Sequence, residues 1–223
     1  MLPKVIVHNS ISLDGSLTNF EPNMELHYLI AGGYKPQAHL IGSNTIKAGV
    51  ELYGGIPLEE EEDFRRPDRC RSLPYWVIPD TKGKLKGLLH TCRRFEFSRD
   101  VVVLISKTTP ENYVEYLGER DYIYHVTGKT QVDLEKSLEL LSSKYGAKRV
   151  LCDTGRVLGN LLVEQNLVSE LSLLVHPIIV GRQSYDIFGG LNKNPRLVLR
   201  RQEPYPGGCV WLVYRIDRKA QGL

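Results

Sequence analysis

The sequence predicts an α/β protein with a mostly parallel central sheet, flanking helices and antiparallel strands near its C-terminus. Short apolar runs alternate with helix-like stretches along most of the chain. Several of these runs, such as residues 101–105, are continuous and rich in β-branched residues, which is typical of strands buried on both faces of a parallel sheet. The last third differs, because the strand-like residues 196–199 and 210–216 are joined by a turn of Pro and Gly. We therefore expect antiparallel strands at one edge of the parallel sheet.

The individual elements follow from this alternation. Six strands are predicted before the C-terminal part, at residues 5–7, 38–41, 75–78, 101–105, 122–126 and 150–152. Three helices are predicted between them, at residues 110–117, 133–145 and 157–165. In the first helix, Thr109 is expected to be the N-cap with Pro110 at the first helical position. In the second helix, leucines share one face, and Gly146 is expected to end it. Strands and helices in this order indicate βαβ units.

Composition excludes several classes of protein. The 223 residues carry a formal net charge of +3 with no basic stripe, which argues against nucleic acid as a partner. The apolar runs are too short to span a bilayer, and the N-terminus lacks a secretory pattern, so we expect a cytoplasmic protein. The four cysteines and six histidines are scattered, which predicts neither a metal site nor a disulfide framework. We expect one domain over residues 1–223, with a disordered tail at about 218–223.

The most informative stretch is Asp-Thr-Gly-Arg at residues 153–156. It follows a buried strand and opens an amphipathic helix, which is a setting that presents backbone N–H groups to an anion. Asp153, Thr154, Gly155 and Arg156, with the next residues Val157 and Leu158, are therefore candidates for binding the pyrophosphate of a cofactor. The alternative is a plain turn in which Asp153 or Thr154 caps the helix. The stretch is neither Gly-x-Gly-x-x-Gly nor a Walker A loop.

Two further strand ends have similar chemistry. Gly42, Ser43 and Thr45 follow the second strand, where hydroxyl-bearing residues begin a helix. Ser106 and Lys107 follow the fourth strand and offer a hydroxyl and a cation, which suit the 2′-phosphate that distinguishes NADPH from NADH. Ligands bind at the carboxyl ends of the strands in open α/β sheets. Turn and capping chemistry is the alternative at each position.

Polar residues also follow the first predicted strand. Asn9, Ser12 and Asp14 are expected to lie in a loop that turns at Asp14 and Gly15, where they would contact the substrate or relay a proton. We assign Asn9 and Asp14 as candidate catalytic residues and Ser12 and Asp14 as candidate substrate-binding residues. As a turn residue before Gly, Asp14 equally needs no catalytic role.

A charged segment separates the second and third strands. Residues 59–63 are acidic and residues 65–71 contain four arginines, a pattern typical of a solvated segment with internal charge pairing. The alternative is that an arginine binds a substrate phosphate, for which Arg65 and Arg66 are the candidates.

Together these motifs resemble the reductase domain of riboflavin biosynthesis, which has a dihydrofolate-reductase-like fold. The Ser-Leu-Asp-Gly of residues 12–15, the Gly-Ser-Asn-Thr of residues 42–45 and the strand ending at Asp80 match the family pattern. The late pattern is matched by residues 153–155, the leucine-rich residues 158–162, the Leu-Val-Ser-Glu of residues 167–170, Pro177 and Gly181. The chain departs from the family in having Asp-Thr-Gly for Glu-Gly-Gly, and no acidic and arginine-bearing pattern is recognisable in residues 48–58.

The resemblance implies a function. It implies hydride transfer from NADPH to the ribosyl carbon of a diaminopyrimidine ribosylamine phosphate by a homodimeric enzyme. No His-x-Glu with Pro-Cys-x-x-Cys is present, so we expect a reductase without the deaminase domain. Two alternatives stay open: reduction of a pterin or folate-like substrate on the same fold, and a nucleotide- or flavin-binding protein without catalytic activity.

Overall fold

The computed structural model describes residues 1–52 and 55–217, and the predicted disordered tail at residues 218–223 lies outside the described residues. The strands are β1 (Lys4–Ser12), β2 (Ala38–Leu40), β3 (Tyr75–Pro79), β4 (Val101–Ser106), β5 (Ile123–Gly128), β6 (Arg149–Cys152), β7 (Glu170–His176), β8 (Leu197–Pro204) and β9 (Val210–Ile216). The helices are α1 (Met24–Gly33), α2 (Ser43–Leu52), α3 (Leu89–Arg94), α4 (Glu111–Glu119), α5 (Leu134–Tyr145) and α6 (Arg156–Glu164). No helix within the described part of the chain is long and apolar enough to cross a membrane.

The chain packs as two compact units, one of Met1–Pro3 with Pro36–Lys148 and one of Lys4–Lys35 with Arg149–Leu223. The first unit contains strands β2 to β5, which lie in the order β5-β4-β3-β2. They are parallel. Every residue of β4 is buried, which confirms the interpretation of its continuous apolar run. The core on one face is formed by strand residues such as Ile78 and Val103 packed against Leu89 of α3 and Leu117 of α4.

The second unit contains the other five strands, in the order β6-β1-β7-β9-β8. Strand β1 is parallel to both β6 and β7. Strand β9 is antiparallel to β7 and β8, and β8 forms the edge with most of its side chains exposed. The predicted class, a mostly parallel α/β fold with antiparallel C-terminal strands at one edge, is therefore confirmed. The prediction of a single domain stays a prediction.

The predicted bounds were wrong in several places. Strand β1 continues to Ser12, so Asn9 and Ser12 belong to the strand and not to the loop after it. Pairing with β7 over seven residues, from Ile6 to Ser12, holds these polar residues in the sheet. Helices α1 and α3 were not predicted. Asn23 caps α1 by accepting a hydrogen bond from the backbone N–H of Leu26, a local signal that the sequence contained.

The prediction that Thr109 is the N-cap of α4 was also wrong. Its Oγ1 accepts a hydrogen bond from the backbone N–H of Ser106 and donates one to the carbonyl oxygen of Thr81. The cap position is taken by Pro110, and α4 begins at Glu111. Thr109 therefore closes the turn after β4, because its hydroxyl bonds backward along the chain and not to the helix.

Candidate active site

The carboxyl ends of β1, β6 and β7 place the late motif beside the first strand. In the parallel register Val7 lies opposite Cys152, so the two residues that follow β6 come level with His8 and Asn9. The Nδ2 of Asn9 donates a hydrogen bond to the carbonyl oxygen of Thr154 at 3.0 Å. Asn9 is 5% exposed, and its Oδ1 has no hydrogen-bond partner in the described structure. An unpartnered buried acceptor is costly unless a ligand or water satisfies it.

The amino end of α6 begins at a glycine. Gly155 occupies the N-cap position and has no side chain with which to cap the helix. The first N–H groups of a helix have no partner within it and carry the positive end of the helix dipole. The chemistry of the turn therefore fits a phosphate group.

Arg156 starts α6 and packs away from that turn. Its guanidinium carbon lies 3.9 Å from the centre of the Tyr185 ring, a cation–π contact. Gly189 makes room for the guanidinium, since a Cβ there would be 2.6 Å from its Nη1. The positive charge is thus held against the 185–189 loop. The next two residues differ in exposure, with Val157 60% exposed and Leu158 buried in the helix packing.

Asp14 ties two loops together. Gly15 has a φ of 86° and completes the predicted Asp-Gly turn. The carboxylate of Asp14 accepts hydrogen bonds from the hydroxyl of Ser12 at 2.6 Å and from the backbone N–H groups of Val180 and Gly181 at 3.1 and 2.8 Å. These bonds, that of Ser12 first, lower the pKa of Asp14 to about 2. At neutral pH Asp14 is therefore an ionised acceptor and holds no proton to give.

Sequence reasoning missed His27, because helix α1 was not predicted. Its imidazole is 3% exposed, and its Nε2 lies 3.1 Å from Oδ2 of Asp153. Its Nδ1 lies 3.0 Å from the hydroxyl oxygen of Ser10, and its ring centre lies 4.4 Å from that of His8. His8 and Ser10 point to this side because successive side chains of a strand face opposite ways, and Asn9 between them faces Thr154. The turn after β6 is thus bonded to Asn9 at Thr154 and to His27 at Asp153.

The other predicted cofactor residues lie in the first unit. As predicted, Gly42 follows β2 and a helix begins at Ser43, with Thr45 in its first turn. The hydroxyl of Ser106 lies 3.0 Å from that of Thr108, so it belongs to the turn after β4. The side chain of Lys107 is exposed, and its ammonium group makes no ion pair with any described residue. The residues after β2 and those after β4 both lie at the carboxyl ends of the strands of this unit.

The charged segment is bound to other elements, so the prediction of internal pairing was wrong. Asp63 pairs with Arg94, and Glu59 with Arg120. Arg66 pairs with Asp121 at 2.7 Å, just before the amino end of β5, and Arg65 is exposed nearby. Of these partners, Arg94 lies on α3, and Arg120 and Asp121 follow the end of α4. The segment therefore lies at the amino ends of the strands, opposite to Ser106.

A cavity of about 400 Å³ opens beyond the end of β7 in the second unit. It is lined by residues from three places: the segment before α1, the end of β7 and the turn before β9. Asn23 and His176 contribute to it, and the backbone N–H of Asn23 donates to Nε2 of His176 at 2.9 Å. Among the described residues, no group of three or more His, Cys, Asp or Glu side chains is arranged to hold a metal ion. Cys152 and Cys209 are buried free thiols, as predicted.

Comparison with known proteins identifies the family. The family model described as the RibD C-terminal domain matches residues 3–211, which include residues of both units. A curated relative from Archaeoglobus fulgidus, 2,5-diamino-6-ribosylamino-4(3H)-pyrimidinone 5′-phosphate reductase, is 25% identical over 188 residues, covering 81% of this chain and 83% of the relative.

Solved structures have the same fold. A pyrimidine reductase-like protein from Corynebacterium diphtheriae is 18% identical with a TM-score of 0.70, covering 97% of this chain and 92% of that one. The riboflavin biosynthesis reductase Rib7 of Saccharomyces cerevisiae is 17% identical with a TM-score of 0.62, covering 97% and 90%. Acinetobacter baumannii RibD is 17% identical with a TM-score of 0.69, and this chain spans 58% of its length. The predictions of a dihydrofolate-reductase-like fold and of a riboflavin-type reductase that uses a nicotinamide cofactor are confirmed. The chain belongs to the RibD C-terminal domain family.

Proposed function

We propose that this protein uses NADPH to reduce the ribosyl group of 2,5-diamino-6-ribosylamino-4(3H)-pyrimidinone 5′-phosphate, the substrate named for its relative from Archaeoglobus fulgidus. The observation that carries the proposal is the buried Oδ1 of Asn9, which has no hydrogen-bond partner in the described structure and lies next to the glycine-capped amino end of α6. A nucleotide cofactor offers both the phosphate and the hydrogen-bond donors that such a place requires.

The residues of the second unit have distinct roles in this proposal. The backbone N–H groups of Val157 and Leu158, in the first turn after Gly155, bind the pyrophosphate, and Asn9 Oδ1 accepts a hydrogen bond from an N–H group of a bound ligand. NADPH, when bound, supplies the hydride. Asp14 orients the loops after β1 and β7, and its ionised carboxylate accepts hydrogen bonds there with Ser12 as a donor. Arg156 holds its positive charge against the 185–189 loop of the same unit.

In the first unit, the proposed cofactor contacts are Gly42, Ser43, Thr45, Ser106 and Lys107. The unpaired ammonium of Lys107 supports a contact with the 2′-phosphate, which is the group that separates NADPH from NADH. Arg65 and Arg66 are not part of this proposal, because Arg66 pairs with Asp121 at the amino ends of the strands.

We also propose, from the family likeness, that the protein works as a cytoplasmic homodimer. Sedimentation equilibrium at several protein concentrations measures the molecular mass directly. A mass near twice the 25.3 kDa of one chain is expected, and a mass of one chain at all concentrations would contradict the homodimer.

The test of the function is a titration followed by turnover. NADPH fluorescence is expected to saturate with protein, and NADPH is expected to be oxidised when the ribosylaminopyrimidine phosphate is added. Oxidation with a dihydropterin alone would favour the pterin reductase alternative. Saturable binding with no oxidation by either substrate would favour a nucleotide-binding protein, and the absence of binding would overturn the assignment of the cofactor.

A further inference from the structure

His27 and Asp153 form a hydrogen bond beside the α6 turn. The side chain of His27 is 4% exposed and that of Asp153 is 25% exposed, with 3.1 Å between Nε2 and Oδ2. A carboxylate only accepts hydrogen bonds, so Nε2 of His27 carries a proton and donates it. The hydroxyl of Ser10 can then donate to Nδ1, from which it lies 3.0 Å away. Both ring nitrogens are thus engaged, and the imidazole has a fixed orientation.

Further hydrogen bonds connect His27 to the neighbouring strands through His8. Nε2 of His8 lies 3.2 Å from the carbonyl oxygen of His27, and Nδ1 lies 3.2 Å from the carbonyl oxygen of Ser172. Burial lowers the pKa of His8 to about 4, with His27 adding to the effect, so His8 is neutral at pH 7 and one of its two nitrogens donates. The hydroxyl of Ser172 lies 2.9 Å from Nδ1 and accepts a hydrogen bond from the indole N–H of Trp211 at 2.8 Å.

We propose that His27 is a positioning residue that fixes the carboxylate of Asp153 at the start of the turn which leads into α6. Contacts run from Trp211 through Ser172 and His8 to the backbone of His27, and the Nε2 of His27 donates to the carboxylate of Asp153. Such preorganisation matters because small displacements at a binding site can reduce turnover by orders of magnitude. This proposal adds to the proposed function. It rests on that function, because the turn matters to activity only as a part of the cofactor site.

A double-mutant cycle tests the coupling. His27→Leu removes the donor, Asp153→Ala removes the acceptor, and His27→Gln restores a donor near the position of Nε2. We expect His27→Leu to reduce kcat/KM, or the affinity for NADPH, about tenfold in the wild-type background and less than twofold in the Asp153→Ala background. His27→Gln is expected to stay within about threefold of the wild type, since it keeps the hydrogen bond.

His125→Leu is the matched control. His125 is a half-buried histidine in the first unit, bonded to the hydroxyl of Tyr145 at 2.7 Å, and its replacement should not change NADPH affinity. A purely structural His27 would give the same loss in both backgrounds and no rescue by glutamine. Either result would overturn the proposal.

A measurement without turnover separates this proposal from the proposed function. In ¹⁵N-histidine-labelled protein, the Nε2 proton of His27 should give a downfield resonance that moves upfield in Asp153→Ala, because the charged acceptor is lost. If the His27 resonance does not respond to Asp153→Ala, the positioning role is wrong even in an active enzyme. If it responds but NADPH does not bind, the proposed function fails and the contact stands.

Discussion

The carboxylate of Asp14 accepts a hydrogen bond from the backbone N–H of Gly181 at 2.8 Å, which joins the turn after β1 to the loop after β7. The bond from Ser12 and those from the two backbone N–H groups hold the pKa of Asp14 at about 2, below the ordinary value of 3.8. The bonds favour the ionised form of Asp14, so they also stabilise the folded protein at a pH where Asp14 is ionised.

We therefore predict that Asp14→Asn lowers the free energy of unfolding at neutral pH. The folded-state pKa lies below the unfolded one, so the contribution of Asp14 is complete above about pH 4 and is lost as the pH falls to about 2. Urea unfolding from pH 7 to pH 2 should show the two proteins converging in that window. Asp68→Asn, at an exposed aspartate of the first unit, is the control. A difference that is constant across the whole range would contradict the prediction.

His8 should make the protein less stable in mild acid. Its pKa of about 4 lies below the ordinary 6.5, so between these values the unfolded chain binds more protons than the folded chain. Stability attributable to His8 is complete above about pH 6.5 and falls as the pH drops toward 4. The effect is about 2 kcal/mol at pH 5, given 1.36 kcal/mol for each pH unit below 6.5. His8→Gln should remove this part of the loss between pH 7 and pH 5 in urea unfolding, and an unchanged loss would refute the assignment.

Lys107 should discriminate between the two nicotinamide cofactors. Lys107→Ala is expected to raise the Kd for NADPH about tenfold or more, because a hydrogen bond to a charged group contributes about 1.5–3 kcal/mol. The Kd for NADH should change less than about twofold. Fluorescence titrations with both cofactors make the comparison, and Lys136→Ala on α5 serves as an exposed lysine control. An equal loss of affinity for NADPH and NADH would show that Lys107 does not bind the 2′-phosphate.

Replacing Arg66 should not weaken substrate binding. Its guanidinium pairs with Asp121 while both side chains are more than half exposed, so Arg66→Ala should change the free energy of unfolding by less than about 1 kcal/mol. The KM for the ribosylaminopyrimidine phosphate should stay within about twofold of the wild type, as measured by initial rates. A large increase in KM with unchanged stability would show that Arg66 binds the substrate.

The sequence alone predicted the class of fold and most of its elements, but not helices α1 and α3. The β-branched run of β4 indicated a buried strand, and the Pro-Gly turn before β9 indicated neighbouring antiparallel strands, as the structure has them. The turn that starts at Asp153 was found because a strand, a glycine and an amphipathic helix follow one another locally. These features depend on residues close together in the chain, where periodicity and turn chemistry carry the information.

The tertiary structure decided which side chains meet. The register of β1 against β6 brings Asn9 to Thr154, which are separated by 145 residues, and the packing of α1 brings His27 to Asp153 across 126 residues. It also placed Arg66 against Asp121, away from the carboxyl ends of the strands. No local pattern encodes such contacts, because they depend on strand pairing and on the direction in which each side chain leaves its strand or helix. The sequence therefore identified the turn, whereas only the fold showed that a buried histidine lies against its carboxylate.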